Sequence, residues 1–397
     1  MAKLLNQFQK LLLNSRKFLL SKFSTDESEI QEPEKSLTEL PPHLASQLAN
    51  MVKDLPSNNE DLEAILVALD EAFDKWIANP EEADNSLLIL SSPITGVSRI
   101  LLESLNDWAM ERKVPLRPLE WISRPKHTEN IVNKLRQQLG RGGLNISSKQ
   151  TEIVVIPNLS WCYLRCFEGL EGIDYLQDML LQDHSRFWII GSGLVGWEYL
   201  NCVSHFKAYC GESLILPELK GEQLQAWLDP IINQLEIKFD KKLDRDFEEL
   251  NREQDLQTKY FDKLARVSQG ISSVAVELFL HSISYESPNS ESDSDNYSNN
   301  KSGILYAQNP QTPNLPRLLP DDLYILYSLL LHEGLTLSEA ANTLGDEQSL
   351  VRSRIYTLHR LGIVEQHGNI INVNPVHYPR LKSELSNNNF IIDEFDE

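Results

Sequence analysis

The sequence predicts an α/β fold with a parallel sheet, followed by a small helical module that ends in a β-hairpin. From Leu87 to Leu219, short apolar runs alternate with helical patterns, which is typical of parallel strands covered by helices on both faces. The run Ile153–Ile156 is continuous and β-branched, which indicates a central strand. Near the C-terminus, apolar segments flank the turn His367–Asn369, which predicts a hairpin after three helical patterns.

The composition limits the class of protein. The chain has 397 residues, of which 41% are hydrophobic, and this is enough for two or more domains with real cores. Its formal net charge of −21 argues against a general binder of nucleic acids or anionic membranes, since phosphate neutralisation requires clustered lysines and arginines. The four cysteines form no disulfide framework, and neither a membrane span nor a signal peptide is recognisable. These features predict a cytoplasmic protein.

The first segment differs from the rest of the chain in charge. Residues 1–23 carry five basic residues and no acid, within a chain whose net charge is −21. Their Leu and Phe residues recur at helical spacing, which predicts a basic amphipathic helix. Such a helix fits a cytoplasmic membrane surface, a partner protein or the protein's own acidic surface, and a transit peptide is a further alternative. The candidate contact residues are Lys3, Phe8, Lys10, Leu12, Arg16, Lys17 and Phe18.

A turn that resembles a phosphate-binding loop follows the first apolar strand and precedes a helical pattern. A working P-loop reads G-x-x-x-x-G-K-[ST], in which backbone N–H groups hold phosphates, the lysine neutralises them and the hydroxyl holds Mg²⁺. In Ser91–Ser98, Gly96 and Ser98 retain the second glycine and the hydroxyl, whereas Ser91 and Val97 replace the first glycine and the lysine. The candidate nucleotide-contacting residues of this turn are Ser91, Thr95, Gly96, Val97 and Ser98.

The end of the strand Ile153–Ile156 carries a second departure from a working ATPase. In P-loop enzymes an apolar strand ends in acidic residues that serve the metal ion and the attacking water. Here Pro157 and Asn158 follow the strand. Together with Val97, these replacements remove the lysine, the metal carboxylate and the base, on which transition-state stabilisation depends. We therefore expect no catalytic residue, no metal site and no required cofactor, with ATP left open as a ligand.

The order of these elements resembles that of the AAA+/STAND group of P-loop ATPases. It is carried by the turn Ser91–Ser98, the strand that ends Val155–Asn158, the strand Phe187–Gly191 and the segment Leu264–Ala275. The resemblance implies that Ser192 takes the place of a polar sensor of the γ-phosphate. It also implies that Arg186 lies where some members carry a trans-acting arginine, although a solvated charge is the expectation here. The segment Leu264–Ala275 resembles the helical lid of the group, without an arginine that could act as a second sensor.

The C-terminal pattern resembles a winged helix-turn-helix. Residues 317–380 contain five arginines against seven acidic residues, so the module has a net charge of −2 and lacks a basic footprint. The candidate residues for nucleic-acid or partner contact are Arg352, Arg354 and Arg360. Winged helices bind proteins as well as DNA, and the charge favours a protein partner.

The complete prediction is a P-loop NTPase-like parallel sheet with a helical lid and a C-terminal winged helix. Its segments are a basic amphipathic helix at 1–23, an acidic linker at 24–59, a degenerate P-loop core at 60–220, a lid at 221–283, a disordered linker at 284–316, a winged helix at 317–380 and an acidic tail at 381–397. The predicted function is a non-hydrolysing pseudo-ATPase that acts as a regulatory or assembly scaffold through protein partners or a homo-oligomer, with membrane contact through 1–23. A DNA-binding transcription regulator and an ATP-binding switch without hydrolysis are the alternatives.

Overall fold

The computed structural model describes residues 40–121, 123–140, 152–239, 253–286 and 304–392. The predictions for the amphipathic segment 1–23, including its candidate contact residues, lie outside these ranges. No helix within the described ranges is long and apolar enough to span a membrane.

A five-stranded parallel sheet forms the centre of the core domain, which confirms the predicted α/β fold. Its strands are β1 (Ser86–Ser91), β2 (Leu116–Pro118), β3 (Glu152–Ile156), β4 (Arg186–Gly193) and β5 (Glu212–Ile215). They lie in the order β2-β3-β4-β1-β5, which is typical of AAA+ ATPases. Strand β2 lies at an edge, as its prolines predict, because proline cannot donate a ladder hydrogen bond.

Apolar clusters cover both faces of this sheet. Each strand contributes to both clusters because its successive side chains point to opposite sides. In β1, Leu87 and Ile89 join one apolar cluster and Leu88 and Leu90 join another. The helices of the core are α1 (Pro42–Asp54), α2 (Asn59–Ala78), α3 (Val97–Arg112), α4 (Glu129–Leu139), α5 (Glu171–Gln182) and α6 (Leu194–Ser204). Helices α2 and α3 cover the first face, and α4, α5 and α6 contribute to the cluster on the second.

The lid follows the sheet and carries a small sheet of its own. Its helices are α7 (Gly221–Leu235), α8 (Glu253–Ser268) and α9 (Ser272–Ser282), and its strands are β6 (Lys238–Phe239), β7 (Ile283–Glu286) and β8 (Ile304–Ala307). A tight turn separates α8 from α9, and Gly270 adopts a φ of 66° there, which glycine accepts at low cost. Helix α9 therefore begins directly after this turn.

The C-terminal module has the helices and hairpin of the predicted winged helix. It contains α10 (Pro320–Leu331), β9 (Leu335–Thr336), α11 (Leu337–Leu344), α12 (Gln348–Arg360), β10 (Val364–His367), β11 (Ile370–Val373) and α13 (Tyr378–Asn387). Strand β11 pairs with both β10 and β9 in antiparallel fashion. Gly368, in the hairpin turn, has a φ of 63°, as a two-residue turn requires.

Three segments predicted as linkers or tail contain regular structure. Helix α1 lies within the expected linker 24–59, and its Leu48 and Val52 are buried. The expected linker 284–316 contains most of β7 and all of β8, which pair with each other. Helix α13 and the buried Ile392 extend the winged helix into the expected tail 381–397. In each case a few apolar residues pack on a neighbouring surface, which average polarity does not reveal.

Candidate functional site

The P-loop-like turn leads from β1 into α3, and the residue at its lysine position is buried. Helix α3 begins at Val97, whose side chain is fully buried in the cluster beneath the sheet. The Val97 N–H donates to the Thr95 carbonyl at 2.8 Å instead of pointing outward. Arg99 donates to Glu103 at 2.9 Å and to the Leu55 carbonyl. The turn therefore has no cation in the place of the P-loop lysine.

The predicted polar contacts of the turn are mostly satisfied locally. The Ser91 hydroxyl donates to the Ser92 carbonyl at 3.2 Å, and the Ser192 hydroxyl to the Gly193 carbonyl at the same distance. Thr95 faces the lid, where its Oγ1 lies 3.5 Å from the hydroxyl oxygen of Ser273 in α9. The structure thus brings the turn, the end of β4 and the start of α9 to one edge of the sheet.

Gly96 and Ser98, the remaining two candidate contacts of the turn, lie at a cleft. A Cβ added to Gly96 would meet no atom within 4 Å. Gly96 and Ser98 both line a cleft that lies between the core, the lid and the winged helix. Thr95 lines the same cleft, where its hydroxyl meets Ser273 of the lid.

A carboxylate from the winged helix occupies the edge where β1, β3 and β4 end. Glu333 Oε2 accepts a hydrogen bond from Asn158 Nδ2 at 2.8 Å, and Glu333 Oε1 accepts one from the Gly193 N–H at 2.8 Å. The Asn158 Oδ1 accepts from the Ser160 N–H at 2.8 Å, which fixes the orientation of the amide. In this arrangement the Asn158 amide is a donor that holds Glu333.

Glu333 belongs to a turn, Leu331–Gly334, that we call the docking turn. The Tyr163 hydroxyl donates to the Leu331 carbonyl at 3.0 Å, and the Arg165 N–H donates to His332 Nε2 at 3.2 Å. Glu333 and Gly334 have φ values of 54° and 110°, as the chain leaves α10 through the left-handed region. Three consecutive residues, from 331 to 333, thus bind the core.

A buried arginine connects the same two parts of the protein. Arg124 donates to the Ser160 carbonyl at 2.7 Å and the Tyr163 carbonyl at 2.8 Å. Its Nη1 lies 3.4 Å from Glu339 Oε1 of the winged helix, and both side chains are less than a tenth exposed. Burial lowers the pKa of Arg124, while Glu339 acts in the opposite direction. The winged helix is thus docked on the core through buried polar contacts.

Two other titratable groups at this interface are held neutral. Burial lowers the pKa of His332 well below its usual value, and the charges of Arg124 and Arg165 lower it further. A neutral imidazole can accept the hydrogen bond from the Arg165 N–H, which an imidazolium cannot. Burial also raises the pKa of Tyr163 well above its usual value, so that its hydroxyl remains a donor to the docking turn. The interface is therefore built for neutral His332 and Tyr163 side chains.

The prediction of a solvated charge at Arg186 is wrong. Arg186 is buried at the start of β4, opposite to the end that meets Glu333, and its Nε lies 2.7 Å from Glu152 Oε2. It also donates to the Leu139 carbonyl at 2.8 Å. The sequence directly before β4 supplies Asp183, whose Oδ2 lies 3.3 Å from Arg186 Nε, but it does not indicate that Glu152 and the Leu139 carbonyl approach from other elements. Arg186 thus joins α4, β3 and β4 within one molecule.

The basic residues predicted on the winged helix separate into two groups. Arg354 lies 3.2 Å from Asp321 and 3.7 Å from Asp322, at the start of α10. Arg352 and Arg360 are exposed and line the cleft, which has a volume of about 3380 Å³. Eight lysines and arginines and four glutamates line the described part of this cleft. The cleft is therefore more basic than the winged helix alone.

Within the described ranges, no group of three or more His, Cys, Asp or Glu side chains is placed to hold a metal ion. Glu333 is a residue of this site that the sequence analysis missed. It lies 175 positions from Asn158, and only its place after a helix, before Gly334, marks it as a turn residue.

Comparison with known proteins finds similarity at the level of structure. No protein-family model matches the chain, and neither does any curated protein. The chain is similar to the Holliday junction branch migration motor RuvB of Thermotoga maritima, with 15% identity and a TM-score of 0.33, over 83% of this chain and 96% of that chain. It is also similar to the ORC2 protein of Aeropyrum pernix, with 10% identity and a TM-score of 0.34, over 84% of this chain and 98% of that chain. At such TM-scores the assignment of an AAA+-like fold rests on the strand order.

Proposed function

We propose that this protein is a non-hydrolysing AAA+-like protein that works as a regulatory or assembly scaffold through protein contacts. One observation carries the proposal: Glu333 of the winged helix fills the edge of the sheet at which phosphoryl transfer would occur. The lysine, metal-carboxylate and base positions hold Val97, Pro157 and Asn158, and Val97 is turned into the core. A site in this state serves to hold two domains together.

The test is a measurement of ATP turnover and ATP binding by the full-length protein with Mg²⁺. We expect no turnover above a protein-free blank. Phosphate release that is lost in a Ser98→Ala variant would refute the proposal, because the hydroxyl then serves a metal ion. Binding without turnover, measured by titration calorimetry and abolished by Gly96→Trp, would favour an ATP-binding switch instead.

Residues 1–23 are proposed to attach this scaffold to a partner or to an anionic membrane surface. The proposal rests on the five basic residues and the apolar spacing of that segment. Co-sedimentation with anionic vesicles and pull-down from cell extract, each with the full chain and a chain that lacks 1–23, test it. Equal behaviour of the two proteins in both assays would refute an anchoring role.

A second candidate function is binding of nucleic acid in the cleft. The observation in its favour is that Lys126 and Lys263 line the same cleft as Arg352 and Arg360, so that core and lid supply cations that the winged helix lacks. Binding to duplex DNA would then fall steeply with added salt. Reversal of Arg352 and Arg360 to glutamate would abolish it, whereas Arg317→Glu, an exposed change outside the cleft lining, would retain most of it.

A further inference from the structure

Two glycines of α6 and its N-cap create the space in which the docking turn lies. A Cβ at Gly193 would lie 2.8 Å from Glu333 Oε1 and 3.2 Å from the Cα of Pro93. A Cβ at Gly196 would lie 2.6 Å from the Tyr163 hydroxyl and 2.8 Å from a carbonyl oxygen of the docking turn. Gly193 has a φ of −75°, which any residue adopts, so the close approach of the winged helix is what requires glycine there.

The donors at this point suit an anion. The Gly193 N–H lies at the N-terminus of α6, where the helix dipole favours negative charge. It binds one oxygen of Glu333, and the Asn158 amide, itself fixed by the Ser160 N–H, binds the other. Both carboxylate oxygens of Glu333 are thus held by oriented donors, one just after β3 and one at the end of β4.

The same point lies beside the P-loop-like turn. Glu333 Oε1 and the Cα of Pro93 both lie within 3.2 Å of the position that a Cβ would take at Gly193, so the carboxylate lies close to both the turn after β1 and the end of β4. A phosphate group placed at this edge of the sheet would need the donors that Glu333 already uses. A phosphate group that shared these donors with the Glu333 carboxylate would also be repelled by its negative charge.

We propose that Glu333 is an internal anionic ligand that keeps the winged helix docked, and that docking excludes a polyphosphate from the same donors. The inference rests on the proposed function, a scaffold that does not hydrolyse ATP, and gives that site a regulation. Docking then holds the cleft in its described shape. Loss of Glu333 from its donors releases the docking turn and leaves the donors open to an anion.

Hydrogen–deuterium exchange of the full-length protein tests the docking role. In Glu333→Ala, we expect the peptides that contain Gly193 and the docking turn to exchange about tenfold faster or more, because a charge-assisted hydrogen bond is lost on each side. Glu347→Ala, which removes an exposed carboxylate of the same module, serves as the matched control and leaves both peptides unchanged. Unchanged exchange in Glu333→Ala would overturn the proposal.

A second variant approaches the contact from the core and guards against a folding defect in the first. Gly193→Ala places a methyl group against Glu333 and should accelerate exchange of the docking turn to a similar degree. In the double variant with Glu333→Ala, the carboxylate that the methyl group would contact is absent. We therefore expect the increases in exchange rate from the two substitutions to be less than additive. Additive effects would mean that the glycine and the carboxylate act independently, which contradicts the proposal.

Inorganic tripolyphosphate and ATP, both with Mg²⁺, test the exclusion. We expect tripolyphosphate to slow exchange of the Gly193 peptide in Glu333→Ala but not in the wild type. Equal slowing in both proteins, or slowing in neither, would overturn the exclusion. An effect of ATP without one of tripolyphosphate would assign recognition to the nucleoside and would also contradict it. ATP turnover by the wild type would refute the proposed function while leaving the exchange results to decide on docking.

Discussion

The P-loop-like turn and the docking turn meet at one edge of the sheet, yet they contribute in opposite ways. The first is local and readable in the sequence, but Val97 is buried and Arg99 is bound to Glu103 and to the Leu55 carbonyl after α1. The second carries no motif, yet three consecutive residues bind the core. The comparison teaches that a P-loop-like turn can indicate where a site lies, whereas the contacts found at that edge of the sheet come from another part of the chain.

The largest expected effect comes from the buried cation that supports the docking turn. Arg124→Ala leaves the carbonyls of Ser160 and Tyr163 without their donor and Glu339 without its partner. We expect the free energy of unfolding to fall by about 3–5 kcal/mol, as measured by urea denaturation. Arg124→Lys should restore less than half of this loss, because an ammonium cannot reproduce the fork of donors. A loss below about 1 kcal/mol would mean that docking does not depend on Arg124.

A core substitution in the P-loop-like turn sharpens the contrast from the other side. Val97→Ala removes two fully buried methyl groups, and we expect a loss of about 2 kcal/mol in urea denaturation. Val203→Ala, at a position that is 47% exposed, is the matched control and should cost much less. If Val97→Ala changes ATP binding without changing stability, Val97 is a nucleotide contact and the interpretation of this turn is wrong.

The contrast between Val97 and Arg124 also shows what can be predicted from the sequence. The sheet, its edge strand and the winged helix follow from short-range periodicity, and the replacement of lysine by Val97 is visible by alignment to a motif. The roles of Arg124 and Glu333 cannot be seen in this way, because their partners lie 36 to 215 positions away along the chain. These contacts depend on how two domains pack. The failed prediction at Arg186 has the same origin, since its carboxylate and carbonyl partners come from β3 and α4.

The next effect concerns pH and the neutral imidazole of the docking turn. The pKa of His332 in the folded protein is well below the ordinary value of 6.5. Below about pH 6.5 the unfolded chain therefore binds a proton that the folded protein does not, and the free energy of unfolding falls by up to about 1.4 kcal/mol per pH unit. Below the pKa of His332 in the folded protein, this group causes no further loss of stability. Groups that face His332 are Arg124, Arg165 and Tyr163, and the two arginines act in the same direction as burial.

The measurement is the difference between His332→Gln and wild type in urea denaturation from pH 7 to pH 5. The variant should lose less stability over this range. Burial lowers the pKa of His377 to about 4, which adds a slope of the same sign, and raises the pKa of Asp61 to about 6, which opposes it. The difference between the two proteins therefore isolates His332. Equal slopes would show that His332 is accessible to protons in the folded protein.

The smallest expected effect tests a single neutral contact of the docking turn. Tyr163→Phe keeps the buried ring but leaves the Leu331 carbonyl without the donor at 3.0 Å. We expect a loss of about 1 kcal/mol, because a net hydrogen bond contributes about 0.5–1.5 kcal/mol. Tyr356→Phe, at an exposed position, controls for removal of a hydroxyl and should have no measurable effect. If Tyr163→Phe instead equals Arg124→Ala in cost, docking is carried by this one contact, and the charged contacts on either side of it are secondary.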